Sequence, residues 1–403
     1  MSIFADVALA PANPILGLAK VCDEDTAPEK INMTIGAYRD ENGQPIVLPS
    51  IRAAEVKLTE ANVNHEYLNQ DGLDEFLSAC QVLCFGDSAS VVKEKQVHSI
   101  QSISGTGAIR LGLEMIKRNM PAIKGMYIPQ VTWGNHPGMV KDCGLECKTY
   151  AYLDDAGTGL NFAAMIEDVR NIPEGYAILL HAVAHNPTGV DPTNENWREL
   201  LQVIKEKKMM VFFDSAYQGF VSGDPEVDAY AVRLFADAGI EMVVAVSFSK
   251  NFGLYGERTG CLHVVSADKK ALESCGSQLR AIARVLYSTC PSFGARIVAT
   301  VLNDSVSKAQ WQSECAMMAN RLNEVRANLH AQLTAAHVKG EWGHVIKQRG
   351  MFSYTGLTKE TVATLKEKYH IYMLPDGRIS LAGLNTTNIP VFVNALREIL
   401  GTN

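Results

Sequence analysis

The chain has 403 residues, of which 47% are hydrophobic and 20% are charged, and its formal net charge is −7 at pH 7. This length exceeds what one ordinary hydrophobic core supports, so we expect two lobes or one large α/β domain with an appendage. The acidic balance argues against nucleic acid, or an acidic membrane surface, as the main partner. No apolar run approaches the roughly 20 residues of a membrane span, so we expect none.

The N-terminal segment carries no basic residue before Lys20. Secretory and mitochondrial signals need early positive charge, so neither is indicated. The nine cysteines are odd in number and form no CxxC pair, which favours free thiols in a reducing compartment over a metal site. We therefore expect a cytoplasmic protein without a metal.

Short apolar segments alternate with helical stretches from about residue 97 to residue 265. Such alternation predicts a parallel sheet covered by helices on both faces. The predicted strands are Met126–Pro129, Ala177–Val183, Met209–Phe213, Met242–Phe248 and Cys261–Val265. The predicted helices between them include Ala108–Arg118, Asn161–Asn171 and Asn194–Lys207.

The pattern changes after residue 310. Gln310–Thr334 is a long, charged stretch of helix formers, and the strand-like pieces MFSYTGL, HIYMLP and RISLAGL follow it before a final helix near Ile389–Leu400. This predicts a smaller α+β domain, which the segment before residue 50 joins. We expect an N-terminal arm at 1–14, a small domain at 15–47 and 311–403, and a large ligand-binding domain at 48–310.

Polar groups follow the predicted strands, where ligands bind in such sheets. Ser104-Gly-Thr-Gly opens a helix, which suits either a plain glycine turn or a phosphate at a helix N-terminus. Asn186, in HNPTG, is either a turn residue or an amide that faces a ligand. Asp214, after MMVFF, is either a helix cap or a carboxylate with a specific partner.

Lys250 follows the apolar segment EMVVAVSF and precedes Arg258 by eight residues. A buried ammonium is costly unless it is paired or loses its proton. Lys250 is therefore either a lysine that reaches solvent from a strand end or an amine used in chemistry.

Taken together, these groups match the needs of pyridoxal phosphate. That cofactor needs a lysine amine for its aldehyde, a carboxylate at its ring nitrogen, donors to its phenolic oxygen and a cradle for its phosphate. Lys250, Asp214, Asn186 with Tyr217, and the Ser104 turn supply this set. Arg258 suits the phosphate because its guanidinium binds that group bidentately.

The segments SGTGAIR, HNPTGVDPT, DSAYQGF and SFSKNFGLYGERTG resemble those of class I, fold-type I aminotransferases, and the aspartate aminotransferase subgroup in particular. The resemblance runs from GAYRDENGQP near the start to LPDGRISLAGL near the end. It departs at YSTCP, after Arg284, and at GLYGER, where relatives commonly have other residues. The resemblance implies a large domain with a mostly parallel sheet and a smaller α+β domain.

The resemblance also implies roles for single residues. Lys250 holds the cofactor and moves the substrate proton, Asp214 pairs with the ring nitrogen, and Asn186 and Tyr217 bond the phenolic oxygen. Trp133, in VTWGNH, stacks on the cofactor ring, although a core tryptophan is the ordinary reading. Trp133 belongs with Lys250, Asp214 and Tyr217 among the catalytic residues. The remaining cofactor-binding residues are His136, which assists Asp214, and the phosphate ligands Ser104, Gly105, Thr106, Ser247, Arg258 and Tyr67, the last reaching a neighbouring subunit.

Members of this family bind the carboxylates of the substrate with arginines. Arg378, in LPDGR, matches the arginine that binds the α-carboxylate, although PDGR alone suggests a turn. Arg284 matches an arginine that enters the partner's site and binds the side-chain carboxylate, which favours dicarboxylic substrates. Gly36 lies near the α-carboxylate, and Trp133 and Asn186 also face the substrate. A homodimer with shared active sites follows from the resemblance.

The resulting hypothesis is an aspartate aminotransferase that passes the amino group to 2-oxoglutarate by a ping-pong reaction. The first alternative is a broad-specificity or aromatic aminotransferase of the same family. A pyridoxal-phosphate lyase or decarboxylase and a non-enzymatic binding protein are further alternatives. A dinucleotide-binding oxidoreductase is disfavoured because no GxGxxG follows the first strand.

Overall fold

A seven-stranded sheet forms the centre of the molecule. The structure, a computed structural model, describes residues 2–10, 14–34 and 36–402. After a short β1 at Ile31–Asn32, the sheet strands are β2 Val97–Ile103, β3 Gly125–Pro129, β4 Glu146–Tyr150, β5 Tyr176–His181, β6 Val211–Ser215, β7 Met242–Ser247 and β8 Thr259–Val265. Their order is β2-β8-β7-β6-β5-β3-β4.

Strands β3 to β7 run parallel, while β8 pairs antiparallel with both β7 and β2. The mostly parallel sheet is therefore confirmed, and each of the five predicted strands is present. Strands β2 and β4 were not predicted. The sequence of β4, ECKTY, is polar and largely exposed, so it lacks the apolar run from which a buried strand is recognised.

Helices cover both faces of the sheet, as expected for a parallel sheet with helical crossovers. In the first part of the chain they are α1 Pro14–Glu24, α2 Pro49–Glu60, α3 Asp74–Phe85, α4 Ser90–Lys93, α5 Ser104–Asn119, α6 His136–Asp142, α7 Phe162–Asn171 and α8 Asn194–Lys207. The others are α9 Pro225–Asp228, α10 Tyr230–Asp237, α11 Lys269–Leu286, α12 Phe293–Leu302, α13 Ser305–Ala335, α14 His344–Lys347, α15 Lys359–Tyr369 and α16 Ile389–Leu400.

The core has two parts, one on each face of the sheet. On one face, α5 and α11 bury residues such as Leu113 and Leu279 against Phe212 and Leu262 of the sheet. On the other face, a larger cluster includes Phe213 and continues into the C-terminal part of the chain. Alternate residues of the same strand, Phe212 and Phe213, thus serve opposite cores, as the period of two in a strand requires.

Two small sheets stand apart from the central one. Strand β1 pairs in parallel with β10 Ile371–Tyr372, and β9 Phe352–Tyr354 pairs antiparallel with β11 Arg378–Ser380. The pairing of β1 with β10 places a segment from before residue 50 beside the C-terminal part. The division into an arm at 1–14 and domains at 15–47 with 311–403 and at 48–310 stays a prediction, and residues 1, 11–13, 35 and 403 lie outside the described residues.

Helix α13 is 31 residues long and contacts several parts of the chain. Near its start, the indole of Trp311 donates to the carbonyl of Asn251 at 2.8 Å. Near its C-terminal half, the buried Arg326 donates to the carbonyls of Val345, Gly350 and Phe352. Within the described ranges, no helix is long and apolar enough to cross a membrane.

Candidate active site

The carboxyl ends of β5, β6 and β7 bring three predicted site residues to one edge of the sheet. Asp214 lies in β6, in register with His181 of β5 and Ala245 of β7. Asn186 lies five residues after the end of β5, and Lys250 lies three residues after the end of β7. Because parallel strands end at the same edge, these side chains gather where ligands bind in α/β sheets.

Lys250 is held in a buried setting with its amine above an aromatic ring. Its Nζ lies 5.2 Å from the centroid of the Tyr217 ring. Burial lowers the pKa of Lys250 to about 8; the negative charge of Asp214 opposes this shift and the positive charge of Arg258 reinforces it. The amine therefore loses its proton far more readily than that of an ordinary lysine.

Asp214 accepts a hydrogen bond of 3.1 Å from Nε2 of His136. Burial alone would raise the pKa of Asp214, but the hydrogen bond and the charges of neighbouring groups outweigh burial, so the pKa is lowered. The predicted contact between His136 and Asp214 is thus present. The carboxylate remains charged at neutral pH.

A chain of hydrogen bonds runs from His136 to the backbone of Asn186. Thr132 Oγ1 lies 2.8 Å from Nδ1 of His136 and 2.9 Å from Nε2 of His181. Burial lowers the pKa of His181 well below its usual range, so the ring is neutral. Nδ1 of His181 accepts from the backbone N–H of Asn186 at 3.5 Å, so its Nε2 donates to Thr132 and Thr132 donates to His136.

Three serine hydroxyls meet at the start of α5. Ser104 Oγ lies 3.2 Å from Oγ of Ser247 and 3.0 Å from Oγ of Ser249. The backbone N–H of Ser104 donates to the carbonyl of Arg258 at 2.9 Å, which places the arginine's backbone at the helix start. A helix N-terminus with hydroxyl donors and a nearby arginine is a suitable site for an anion.

Glycine at position 105 allows this close approach. A Cβ built on Gly105 would lie 3.0 Å from Cβ of Ser247, so a larger residue would push the two segments apart. Thr106 follows in the first turn of α5 and is half-buried. Arg258 has a positive φ of 52° and donates from Nη1 to the carbonyl of Tyr255 at 3.0 Å.

Asn186 and Tyr217 face each other with a long contact of 3.5 Å between Nδ2 and the phenolic oxygen. Oδ1 of Asn186 is buried and has no hydrogen-bond partner among the described residues. Burial raises the pKa of the Tyr217 hydroxyl, so it stays protonated. Trp133 is half-buried, and its ring meets that of His136 edge-on with centroids 5.3 Å apart.

Arg378 is only 4% exposed, and the ring of Phe352 is a neighbour that it shares with Tyr217. Its Nη2 donates to the carbonyl of Thr34 at 2.9 Å, and its guanidinium carbon lies 4.5 Å from the ring centroid of Phe352. Gly36 lies against the same ring, since a Cβ there would be 2.7 Å from Cζ of Phe352. Arg378 is therefore not a solvated residue of the PDGR turn; it is the buried first residue of β11.

The structure leaves two predicted site residues on the surface. Tyr67 is 87% exposed, and Arg284 is exposed on α11, which also presents Val285 to solvent. No hydrogen bond or ring contact among the described residues joins either of them to the residues around Lys250. Within one chain, the other predicted site residues lie together around Lys250, whereas Tyr67 and Arg284 lie outside this group.

Sequence reasoning missed three polar residues of this group, namely Thr132, His181 and Ser249. Thr132 directly precedes Trp133, and Ser249 directly precedes Lys250, so both lie within the motifs VTWGNH and SFSKNFG. His181 is the last residue of β5. The predicted strand Ala177–Val183 placed His181 inside the strand, and its register with Asp214 is visible only in the folded sheet, so the sequence carried no signal for it.

The sequence model of the family described as "Aminotransferase class I and II" matches residues 28–396. The chain belongs to this aminotransferase family. It is 47% identical over 397 residues to the cytoplasmic aspartate aminotransferase of Dictyostelium discoideum, covering 98% of this chain and 90% of that one. It is 44% identical over 400 residues to the mitochondrial aspartate aminotransferase of the same organism, covering 99% and 94%.

Among solved structures, this aminotransferase chain is similar to an aromatic-amino-acid aminotransferase from Burkholderia pseudomallei that is covalently bound to pyridoxal phosphate. The TM-score is 0.96 at 38% sequence identity, and the match covers 99% of this chain and 100% of that one. The family resemblance and the fold class predicted from the motifs are therefore both confirmed.

Proposed function

We propose that this chain is a pyridoxal phosphate-dependent aspartate aminotransferase, which transfers the amino group of L-aspartate to 2-oxoglutarate and yields oxaloacetate and L-glutamate. The observation that carries the proposal is the buried amine of Lys250, whose pKa is lowered to about 8 at the sheet edge that also holds Asp214. The membership of the family and the similarity to aspartate aminotransferases support it.

The residues present fit the cofactor. Ser104, Ser247 and Ser249 offer hydroxyls at a helix N-terminus for a phosphate. Gly105 provides the space that this close approach needs. The amide of Asn186 faces the hydroxyl of Tyr217, and Nδ2 of Asn186 and that hydroxyl would donate to the phenolic oxygen of the cofactor. Lys250 supplies the amine that holds the aldehyde.

Pyridoxal phosphate, when bound, supplies an electron sink for the negative charge that develops at the substrate α-carbon. Lys250 takes the proton from that carbon, since an amine with a pKa near 8 is partly neutral at neutral pH. The same amine would then deliver the proton to the cofactor's former aldehyde carbon. Its four-carbon side chain is flexible enough to reach both carbons. The amine lies over the ring of Tyr217.

Asp214 stays anionic and holds a proton at the cofactor's ring nitrogen. The hydrogen bonds from Asn186 through His181, Thr132 and His136 point their donors toward Asp214. A charged carboxylate that already accepts one hydrogen bond is fixed in orientation and does not need to reorganise when charge develops nearby. Trp133, packed against His136, is suited to cover the ring.

Arg378 is the group for the α-carboxylate, because it is buried and forms no ion pair with a carboxylate among the described residues. Arg284 and Tyr67 are exposed in one chain. We propose that both reach the site of a second copy in a homodimer, Arg284 to bind the side-chain carboxylate and Tyr67 to bind the phosphate. A bidentate guanidinium is the right group for a carboxylate.

An aromatic or broad-specificity aminotransferase is the second candidate. The similarity to the Burkholderia enzyme favours it, as does the unusual YSTCP segment after Arg284. Both candidates use Lys250, Asp214 and Arg378 in the same way. They differ only in the residues that bind the side chain of the substrate.

The deciding experiment compares turnover of aspartate and of tyrosine with 2-oxoglutarate, using purified enzyme loaded with pyridoxal phosphate. We expect kcat/KM for aspartate to exceed that for tyrosine by at least about 10²-fold, which corresponds to the discrimination that one well-paired charge provides. Comparable values would favour the broad-specificity enzyme. Amine loss without stoichiometric exchange of 2-oxo acids would indicate a lyase or a decarboxylase instead.

We also propose that the protein works in the cytoplasm. The similarity to the cytoplasmic aspartate aminotransferase of Dictyostelium discoideum supports this proposal. Relatives of both compartments are similar to it, so fractionation of cells with an antibody against the chain is the direct test.

A further inference from the structure

Arg378 is a buried cation with unusual partners. Burial lowers the pKa of Arg378, and charges of nearby groups, including Asp376, act against that shift. No carboxylate forms an ion pair with it among the described residues, and its Nε has no hydrogen-bond partner there. A buried guanidinium held by one carbonyl needs a further source of stabilisation.

Phe352 supplies the nearest candidate. Its ring centroid lies 4.5 Å from the guanidinium carbon, well within the distance at which the negative face of an aromatic ring attracts a cation. The pairing of β9 with β11 sets this contact: Phe352 lies opposite Ser380, so Arg378 is its diagonal neighbour on the same face. The ring is 3% exposed, so water does not weaken the attraction.

The same ring contacts two other residues of the site. Gly36 lies against its Cζ, and Tyr217 meets it edge-on with centroids 6.2 Å apart. The backbone carbonyl of Phe352 accepts from Arg326 of α13, which fixes the start of β9. Phe352 thus touches residues from three separate segments of the site, although no motif in the sequence singled it out.

We propose that Phe352 is a positioning residue that holds Arg378 through the face of its ring and leaves the guanidinium N–H groups that Thr34 does not engage free for the substrate α-carboxylate. A carboxylate partner would hold the arginine equally well, but it would compete with the substrate for the same donors. An uncharged ring does not compete. This inference rests on the proposed function, in which Arg378 binds the α-carboxylate.

The test replaces Phe352 in the loaded enzyme in two ways. Phe352→Leu removes the ring, and 3,5-difluorophenylalanine at position 352 keeps its shape but weakens its negative face while leaving the para position beside Gly36 unchanged. We expect the Kd of succinate, a dicarboxylate that cannot react, to rise by about two- to thirtyfold for the leucine variant and by less for the fluorinated one. Calorimetry measures these values without turnover.

Kinetics supply a second readout. KM for aspartate and for alanine, which lacks a side-chain carboxylate, should rise by the same factor because Arg378 reads the group they share, while kcat changes by less than about twofold. The matched control is Phe392→Leu, an equally buried phenylalanine of α16, which should lose stability without a change in KM or in the Kd of succinate.

Three results are informative in different directions. A graded rise from phenylalanine through the fluorinated ring to leucine supports the proposal. A fluorinated enzyme that binds succinate as the wild type does would show that the ring only fills space, and this overturns the proposal even if Phe352→Leu fails to fold. A wild-type enzyme that does not transaminate aspartate would refute the proposed function itself, independently of either variant.

Discussion

The residues around Lys250 and the pair Tyr67 and Arg284 form two contrasting regions. In the more buried region, Lys250 and Asp214 are half-buried, His136 is fully buried, and contacts within one chain join them to their neighbours. Tyr67 and Arg284 are exposed and joined to none of them in the described part of the molecule. The comparison suggests that one chain supplies the groups for the chemistry, whereas recognition of the substrate side chain and one contact to the phosphate depend on a second copy. The following predictions test this division, from the largest expected effect to the smallest.

Lys250→Ala should reduce turnover of aspartate by at least about 10⁴-fold, since it removes both the covalent anchor and the base. The variant should still bind the cofactor through the serine hydroxyls at the start of α5. Activity assays and the loss of visible absorption by a lysine-bound cofactor check this prediction. Normal turnover would mean that the buried region does not carry the chemistry.

Arg284→Asp should lower kcat/KM for aspartate by roughly 10²- to 10³-fold and favour basic amino acids, because the charge at the side-chain position is reversed. The matched control is Lys269→Asp, which makes the same charge change at the other end of α11, also at an exposed position. Its aspartate kinetics should match those of the wild type. Equal losses in both variants would point to a general effect of charge.

The amine of Lys250 in the cofactor-free protein should react with cyanate with a midpoint near pH 8, because burial lowers its pKa to about 8. Asp214→Asn should shift the midpoint to lower pH, since the opposing negative charge is lost, and Arg258→Gln should shift it to higher pH. Mass spectrometry of the peptide that contains Lys250 measures the reaction. A midpoint that rises in Asp214→Asn, or one that falls in Arg258→Gln, would refute the assigned charges.

A mixture of Lys250→Ala and Arg284→Asp chains, unfolded and refolded together, should regain about a quarter of wild-type activity on aspartate. Half of the randomly formed dimers are hybrids, and each hybrid has one site with both wild-type groups. Native mass spectrometry confirms that hybrids form. Hybrids without recovered activity would show that Arg284 serves its own chain, and the division between the two regions would then be wrong.

Much of the buried region could be predicted because its residues follow apolar strands that end at one edge. Lys250, Asp214 and Asn186 were identified in this way, and the sheet brings them together. Thr132 and His181 could not be, because their hydrogen bonds join two segments that only the folded sheet places side by side. The contact of Phe352 with Arg378 depends on the register of β9 and β11, which short strands do not reveal.

The exposed region raises a different difficulty. The sequence pattern near Arg284 carries no sign, apart from the family resemblance, that its side chain acts elsewhere than on its own surface. Strand β4 was missed for a different reason. Its backbone pairs with β3, but its polar residues lack the apolar pattern from which a strand is predicted. The hydrophobic pattern of one chain therefore does not reveal a residue that acts in a second chain. It also does not reveal a strand that is held by backbone pairing alone.

Helix α13 also limits how the sequence can change in length. Trp311 bonds the carbonyl of Asn251, the residue next to Lys250, and Arg326 bonds the carbonyl of Phe352. The two side chains are 15 positions apart in the sequence, or about 22 Å along a helix. One inserted or deleted residue between them would turn one side chain by about 100° relative to the other. An insertion of two full helical turns would keep their relative direction but move them about 11 Å farther apart. The segment between Trp311 and Arg326 should therefore tolerate substitutions on its exposed face but no change in length.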